Sequence, residues 1–585
     1  MGREGPPDAA VTLLDSDMSE MSNNERIKVE SQGLYFVADP KAPHTFLDEV
    51  AALERGESET LSGSAKELSK FFGVYQQQAR GERGKKTQDH FMMVRIKNPS
   101  GGRLSRDQWL ALDAAADRFA DGTVRITSRQ GVQYHRVYGQ KLAPLVRHLN
   151  RSYWDHGTLG ACGDVNRNVM GSPIDELDPE HACGGLELAH EIAAELSPRS
   201  SAYFQIFLSD DEGRNAGPVN PSEPLYGEHY LPRKFKIGIA HPRDNSVDVL
   251  TQDMGLVPVA ENGSERPDGS AWDLYTGGGL GLTHNNPKTA ACLGFHLGRV
   301  TRQQVVDTAR AIVILQNENG ERKNRKQARW KYTIRRLGVE VVRKALRERF
   351  EIDLRDAEPA PLPPMELHLG WHEQRGGGGY YGISVQSGRL KGAQRRAVRE
   401  AVEKLDLSVV LTPQQDLILC DVADRSALEA ILDARGVVRP EQVSMARRNA
   451  MACPAKPTCG LAMTDAENIL PVYLEAIEAA GLGDVDAVIR MTGCPNNCAR
   501  PPTAEIGIYG YGKNDHVLLV GGSRQGSRLA HTLYTRISGD KMIPALVGIF
   551  RAIREHNPDR LPAGEFLHRT DPAELRGWVG VEDGA

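Results

Sequence analysis

No apolar run in this 585-residue chain approaches the roughly 18 residues that a bilayer-spanning helix needs. The opening MGREGPPDAAVTLLDSD is acidic and lacks a basic segment leading into an apolar one, so no secretory signal is expected and the reading is a cytoplasmic protein. Strong charge of either sign is also missing. Lys+Arg number 72 against 77 Asp+Glu, a formal net charge of −5, which argues against a nucleic-acid binder and leaves no nucleic-acid or membrane partner expected. Cysteine is scarce, eight residues in all, too few for a disulfide scaffold. Hydrophobic residues at 40% and charged residues at 25% exclude a mainly disordered chain. At roughly 150 residues per domain, the length implies about four structural units, enough for a large core.

Along the chain, residues 1–60 read as an N-terminal extension, and segment 36–80 as helical, ending in Phe71-Phe72-Gly73-Val74-Tyr75. A strand is expected at Phe91–Ile96. Ser105 and Gln108 form a capping-box pattern before a helix that places Trp109, Leu112, Ala116 and Phe119 on one face. Strands at Thr123–Thr127 and around Val132–His135 follow. The same order recurs later: a strand at Tyr381–Val385, a helix striped by Ala397, Ala401 and Leu405, then Val409–Thr412 and Leu417–Leu419. Arg103-Leu104 matches Arg389-Leu390 at an offset of 286, and Thr127 and Gln130 match Thr412 and Gln415 at 285. Looser matches join Ala161-Cys162 to Ala452-Cys453, Lys236–Ile239 to Glu505–Ile508, and Gly277-Gly278 to Gly521-Gly522. This ordered series implies a duplicated α/β module. Four prolines within Pro359–Pro364 mark the connector between the copies, and helices are expected in 300–350.

Four cysteines fall within 46 residues as Cys453-x5-Cys459 and Cys494-Pro-Asn-Asn-Cys498. Four thiolates can hold an iron–sulfur cluster or a structural zinc. The five-residue gap with two prolines fits zinc knuckles poorly, and four packed core cysteines are the plain alternative. Pro495 suits the first turn of a helix begun at Cys494.

Met451-Ala-Cys453-x5-Cys459-Gly-Leu-Ala-Met and Thr492-Gly-Cys494-Pro-Asn-Asn-Cys498-Ala-Arg-Pro-Pro resemble the cluster motif of the sirohaem-dependent sulfite and nitrite reductases. The resemblance runs through Phe72-Gly-Val-Tyr75, Val124-Arg-Ile-Thr127-Ser-Arg129, Ala161-Cys-Gly-Asp-Val-Asn-Arg167 and Leu231-Pro-Arg-Lys234-Phe-Lys236, about residues 70–525. It implies an α+β, internally duplicated fold with ferredoxin-like half-domains and mixed sheets around a central cofactor site. The implied domains are 61–150 and 365–440 for the half-domains, 151–350 for a first sirohaem and substrate domain, and 441–575 for a second catalytic domain carrying the cysteines. The implied cofactors are sirohaem and a [4Fe–4S] cluster ligated by Cys453, Cys459, Cys494 and Cys498, with Cys498 bridging to the haem iron.

Sirohaem and sulfite are both anionic, so the site needs cations and oriented donors. The resemblance assigns Arg95, Arg167, Lys234 and Lys236 to substrate, and Arg125, Thr127, Arg129, Gln133 and His135 to haem carboxylates, with Gly277, Gly278 and Asn496 near the cofactor. Local spacing agrees: Arg125 and Thr127 share a strand face, as do Lys234 and Lys236. The amides of Asn166-Arg167-Asn168 suggest a turn. For an isolated Lys or Arg, solvated surface is the ordinary reading. The implied activity is assimilatory reduction of sulfite to sulfide, since Cys498-Ala-Arg-Pro looks more like the sulfite branch; nitrite reduction to ammonia is the alternative, and a zinc-stabilised binding protein a further one. No flavin or NADPH module is recognisable, so the electron donor is expected to be a separate ferredoxin or NADPH-dependent flavoprotein. Gly377–Gly382 fits G-x-G-x-x-G but precedes a strand, so it reads as a turn. The eight Lys/Arg of 322–336 read as a solvated helix, with donor docking or haem contact as the sharper option. Cys162 lies near a proposed pocket arginine, with plain packing its ordinary reading, and Cys183, Cys292 and Cys420 show no partner pattern.

Overall fold

The computed structural model describes residues 46–80, 86–152, 157–198, 224–227, 230–261 and 263–581. Four sheets carry the architecture. Val74–Arg80 (β1), Lys86–Ile96 (β2), Val124–Ile126 (β3) and Val132–Val137 (β4) form an antiparallel sheet in the order β1-β2-β4-β3. Met170–Gly171 (β5), Ile237–Ile239 (β6), Met254–Val259 (β7), Ala271–Thr276 (β8) and Phe295–Thr301 (β9) form a mixed sheet in sequence order. Gly370–Glu373 (β10), Gly379–Ile383 (β11), Arg389–Leu390 (β12), Ser408–Leu411 (β13) and Leu417–Val422 (β14) come next, with β10-β11-β14-β13 repeating the first sheet's order. Ala450–Ala452 (β15), Ile489–Thr492 (β16), Ile506–Gly510 (β17), Asp515–Val520 (β18) and His531–Ser538 (β19) repeat the mixed sheet. In both mixed sheets the first two pairings are parallel and the last two antiparallel.

The duplication extends to the backbone itself. Ser100, Gly101, Gln130 and Arg136 have positive φ, and so do Ser387, Gly388, Gln415 and Asp421 at the matching positions. Gln130 and Gln415 close the same turn, each amide donating to the carbonyl of Thr127 or Thr412. The hydroxyls of those threonines accept the Gly131 and Asp416 amides. The copies also exchange edges. Strand β12 pairs with β3 of the first sheet, while Leu104 forms a bridge with Val409 of β13. Arg103 Nε donates to Ser408 Oγ at 2.9 Å, and Arg389 Nη1 to Thr123 Oγ1 at 2.9 Å. Polar groups at a sheet edge need partners; here each copy supplies them to the other. Helices Arg106–Phe119 and Gly392–Leu405 face one another through Arg395, which binds Asp113 and Asp117.

Ser105 and Gln108 make the expected reciprocal cap, and Trp109, Leu112, Ala116 and Phe119 are buried. Two expectations change. Segment 36–80 is not helical throughout: helices Phe46–Arg55 and Gly63–Ser69 give way to β1, because β2 offers Val74–Arg80 a full antiparallel partner; residues 36–45 lie outside the described residues. The topology aligns Glu505–Ile508 with Asp253–Leu256 of β7, not with Lys236–Ile239, because both segments occupy the third place in their sheets. The proline connector is docked: the Ala360 amide donates to Asp273 at 2.7 Å and the Asn245 amide to Pro364 O at 2.6 Å. Gly376, Gly377 and Gly378 all have positive φ and turn the chain between β10 and β11, as the sequence implies.

Candidate cofactor and anion site

The cysteines lie where two parallel strands end. Cys453 follows β15 and Cys494 follows β16, so the pairing of those strands sets the two loops side by side. All eight cysteines of the chain are free. The Gly493 amide donates to Cys453 Sγ at 3.4 Å and Asn496 Nδ2 to Cys494 Sγ at 3.5 Å. Burial pushes the Cys453 thiol well above the ordinary range, and the other three cysteines push it further. Burial likewise pushes Cys494 up to about 12, with Cys498 and Cys459 adding to it. Each sulfur therefore sits in the field of the others. Among the described residues, the set of three or more ligating atoms within 4.8 Å of one another is Asp175, Cys183 and His241, not this quartet. Cys494 to Cys498 is a succession of turns rather than a helix start, because Asn497 and Arg500 hold positive φ.

A Gly-rich loop of the first copy clasps this second-copy loop. The Leu282 amide donates to Pro495 O at 3.0 Å and Asn497 Nδ2 to Leu280 O at 2.9 Å. The tightest approach along that loop is to protein backbone: a Cβ on Gly278 would lie 2.2 Å from Leu250 O and 2.5 Å from Gln252 O.

The cations gather against the cysteines. Arg95 acts on Cys459, Arg125 on Cys453 and Lys236 on Cys498 through their charges. Arg95 projects from β2, donating from Nη1 to Cys162 Sγ at 3.3 Å and from Nε to the Gln133 amide oxygen at 2.9 Å. Gln133 faces His135 Nε2 at 3.3 Å. His135 is buried, which together with Arg389 and Arg125 pushes its imidazole well below the ordinary range. Arg167 donates to Gly163 O at 2.9 Å and Ala161 O at 3.3 Å. Asn166 bridges Phe235 in parallel, so this segment is extended rather than the turn expected. Phe235 is fully buried, which leaves Lys234 and Lys236 together on the other side. Burial, then Arg233, Lys236 and Arg167, push Lys234 well below the ordinary lysine range; burial, then Arg129 and Arg329, do so for Lys236. Arg129 is lowered to about 9 by burial and by Arg167. Its Nη1 donates to Gln252 at 2.7 Å and its Nη2 to Asn168 O at 2.5 Å.

Arg125 stands apart. Fully buried, it donates to Glu467 at 3.2 Å, Ile126 O at 2.5 Å and Ala452 O at 2.9 Å, tying β3 to the residue before Cys453. Thr127 Oγ1 is committed to the Gly131 and Arg129 amides.

Further cations enter that sequence reasoning did not assign. Arg329 donates to both oxygens of Asp253 at 3.1 Å, and Lys331 to Gly279 O and Gly281 O at 2.8 Å each. The basic run is thus half buried, not a solvated helix: its helix covers only Trp330–Leu337. Arg490 and Arg500 share Asp248 at 2.8 and 2.9 Å. The signal was available for Arg500, two residues beyond Cys498 in the quoted motif. The buried Nε atoms of Arg129, Arg329, Arg490 and Arg500, Arg490 Nη2 and His135 Nδ1 have no hydrogen-bond partner among the described residues. Buried donors are normally paired; orphaned guanidinium groups near lysines lowered by neighbouring cations mark a place for a polyanion, and four cysteines in one another's field beside them suit an iron–sulfur cube. The residues present therefore fit both groups.

Comparison with known proteins agrees. Residues 162–354 match the family described as "Nitrite and sulphite reductase 4Fe-4S domain", and residues 83–152 and 372–435 its "ferredoxin-like half domain". The "Sulfite reductase [NADPH] hemoprotein beta-component" of Chromohalobacter salexigens is 38% identical, covering 96% of this chain and 97% of that protein. The "Sulfite reductase [ferredoxin]" of Synechococcus elongatus is 37% identical, covering 93% and 91%. The solved Mycobacterium tuberculosis NirA protein shares the fold, with a TM-score of 0.74 at 23% identity over 91% of this chain and 96% of that one. The two half-domains, the mixed sheet that carries Lys234 and Lys236, and relatives matching end to end leave one conclusion: this chain belongs to the nitrite and sulfite reductase family.

Proposed function

We propose that this chain is the haemoprotein of an assimilatory sulfite reductase, an oxidoreductase that takes sulfite to sulfide with sirohaem and a [4Fe–4S] cluster. The observation that carries the reading is the placement of two half-buried lysines, each lowered by neighbouring cations, and of orphaned arginine donors beside four cysteines that lie in one another's field. Cys453, Cys459, Cys494 and Cys498 would hold the cluster. Arg129, His135, Arg329, Arg490 and Arg500 would take haem carboxylates through their unpaired donors, with Gln133 orienting Arg95. When bound, sirohaem and the cluster would supply the redox chemistry, relaying electrons to sulfite.

The chain's own part is charge and protons. Arg95 and Arg167 hold permanent charge against the sulfite oxygens. Lys234 Nζ and Lys236 Nζ lie among cations that disfavour their protonation. An arriving dianion reverses that balance, so each lysine gains a proton as the anion binds. Those ammonium groups then stand ready to donate as S–O bonds break and oxygen leaves as water. Electrons come from a separate protein. Relatives carry either an NADPH or a ferredoxin label, and Lys97-Asn-Pro-Ser-Gly leans toward the ferredoxin type. The test is turnover of sulfite and nitrite under one reductant, then of sulfite with ferredoxin against an NADPH-dependent flavoprotein. Sulfite preferred by kcat/KM supports the reading; nitrite preferred overturns it in favour of nitrite reduction to ammonia.

A further inference from the structure

A second set of ligating side chains gathers away from the cysteine quartet. Asp175, in the turn after β5, Cys183, before the helix Gly185–Glu195, and His241, after β6, bring an oxygen, a sulfur and a nitrogen within 4.8 Å of one another. All three residues are buried, His241 completely. Cys183 Sγ lies 3.1 Å from Asp175 Oδ1, and Asp175 Oδ2 accepts the Leu186 amide at 2.9 Å, which fixes the carboxylate. A Cβ at Gly185 would sit 3.0 Å from Asp175 Oδ1, so the glycine keeps that oxygen approachable. His241 Nδ1 accepts the Arg243 amide at a long 3.3 Å, while Nε2 is buried with no hydrogen-bond partner among the described residues. Burial together with Asp175 pushes the Cys183 thiol well above its ordinary range.

We propose that Asp175, Cys183 and His241 bind a divalent, zinc-type ion as a structural site distinct from the iron centre. The donor set of sulfur, nitrogen and oxygen suits a borderline-soft ion rather than calcium or magnesium. Bonds of about 2.0–2.3 Å place tetrahedral ligands roughly 3.3–3.8 Å apart, so Cys183 Sγ and Asp175 Oδ1 would part by a few tenths of an ångström from 3.1 Å, within a triangle whose sides all lie under 4.8 Å. Thiolate and carboxylate neutralise the ion, which a buried site requires. On binding, the Cys183 thiol proton passes to solvent and the imidazole proton resides on Nδ1, so the long contact to the Arg243 amide opens. Asp175 ligates through Oδ1 and keeps Leu186 on Oδ2. Asp178 is not the fourth ligand, since its Oδ1 accepts the Glu180 and His181 amides and its Oδ2 faces Arg243; that position falls to water. The ion would stiffen residues 175–183, on which the second copy leans: Arg375 binds Asp178 O and His181 O from the turn between β10 and β11.

The test uses untagged holoenzyme equilibrated with zinc chloride and freed of loose metal by gel filtration. Iron and zinc are counted together, and zinc X-ray absorption reports the ligands. The expected result is one zinc per chain over unchanged iron, with one sulfur in its coordination sphere. Cys183→Ser and His241→Gln should each lower bound zinc at least tenfold while iron content and the visible spectrum stay at wild-type levels. Should a variant lose iron through misfolding, the wild-type absorption edge decides. Zinc below one-tenth per chain, zinc equally retained in both variants, a sphere without sulfur, or one of four sulfurs would overturn the assignment.

Discussion

At the scale of the residue, the site is a balance of like charges awaiting an anion. Lys236→Met should leave the haem spectrum intact and lower sulfite turnover by about 10²-fold or more, the usual share of one proton donor; undiminished steady-state rates would remove Lys236 from the pocket. Sulfite affinity should fall as pH rises, from well below the ordinary lysine range, because the free lysines lose their protons there. Lys236→Arg keeps its charge, so the ratio of KM between wild type and this variant isolates the lysine from the titration of sulfite itself. A flat ratio would show that the lysine is charged throughout. Spacing made it legible that Lys234 and Lys236 share a side, since alternation about Phe235 is a local property, while the role proposed for them came from the resemblance. Arg329, Arg490 and Asp253 were not, because their roles depend on the meeting of segments distant in sequence. Arg125 shows the opposite limit: the pattern marked a cation near the cofactor, yet its donors hold Ala452 and Glu467.

At the scale of the element, the repeat was readable from a few offsets, and the structure explains which ones carried weight. Arg103-Leu104 and Arg389-Leu390 are the exchanged edges, while Thr127 and Thr412 with their glutamines build one turn twice. Lys236–Ile239 misled because β6 spells Ile237-Gly238-Ile239, the same letters as Ile506-Gly507-Ile508 of β17, whereas β7 at the matching place reads Met254-Gly255-Leu256. Leu390 and Leu104 are almost wholly buried. Leu390→Ala and Leu104→Ala should each destabilise the protein by about 2–4 kcal/mol in denaturant melts; losses under ~0.5 kcal/mol would mean the exchanged edges are slack. The second copy of the turn also carries a titrating group. Burial raises Asp416 to about 8, and its side chain accepts the Val385 amide at 2.7 Å. Its folded value exceeds its unfolded one, so the stability it contributes is complete at low pH and is lost as pH rises through about 8. Wild type should melt several degrees lower at pH 9 than at pH 6, and Asp416→Asn should flatten that difference. A mutant with the same slope would clear Asp416.

At the scale of the whole molecule, the two copies are held together by more than the chain that links them. A protease site placed beside exposed Glu358, followed by cleavage, should leave the halves co-eluting with cofactor retained; separation on gel filtration would refute the interlock. The sequence could show that a connector exists but not that it is docked, since prolines report only what a segment cannot become. The exchanged edges bear on how the protein is made. Strand β3 is complete at Ile126, yet its partner β12 ends only at Leu390, ~260 residues later. At roughly 5–20 residues per second of synthesis, that border stays bare on the ribosome for tens of seconds. Nascent chains should therefore need shielding from one another until translation has passed Leu390, and crowding of polysomes is the condition under which wrong pairing between neighbouring copies would begin.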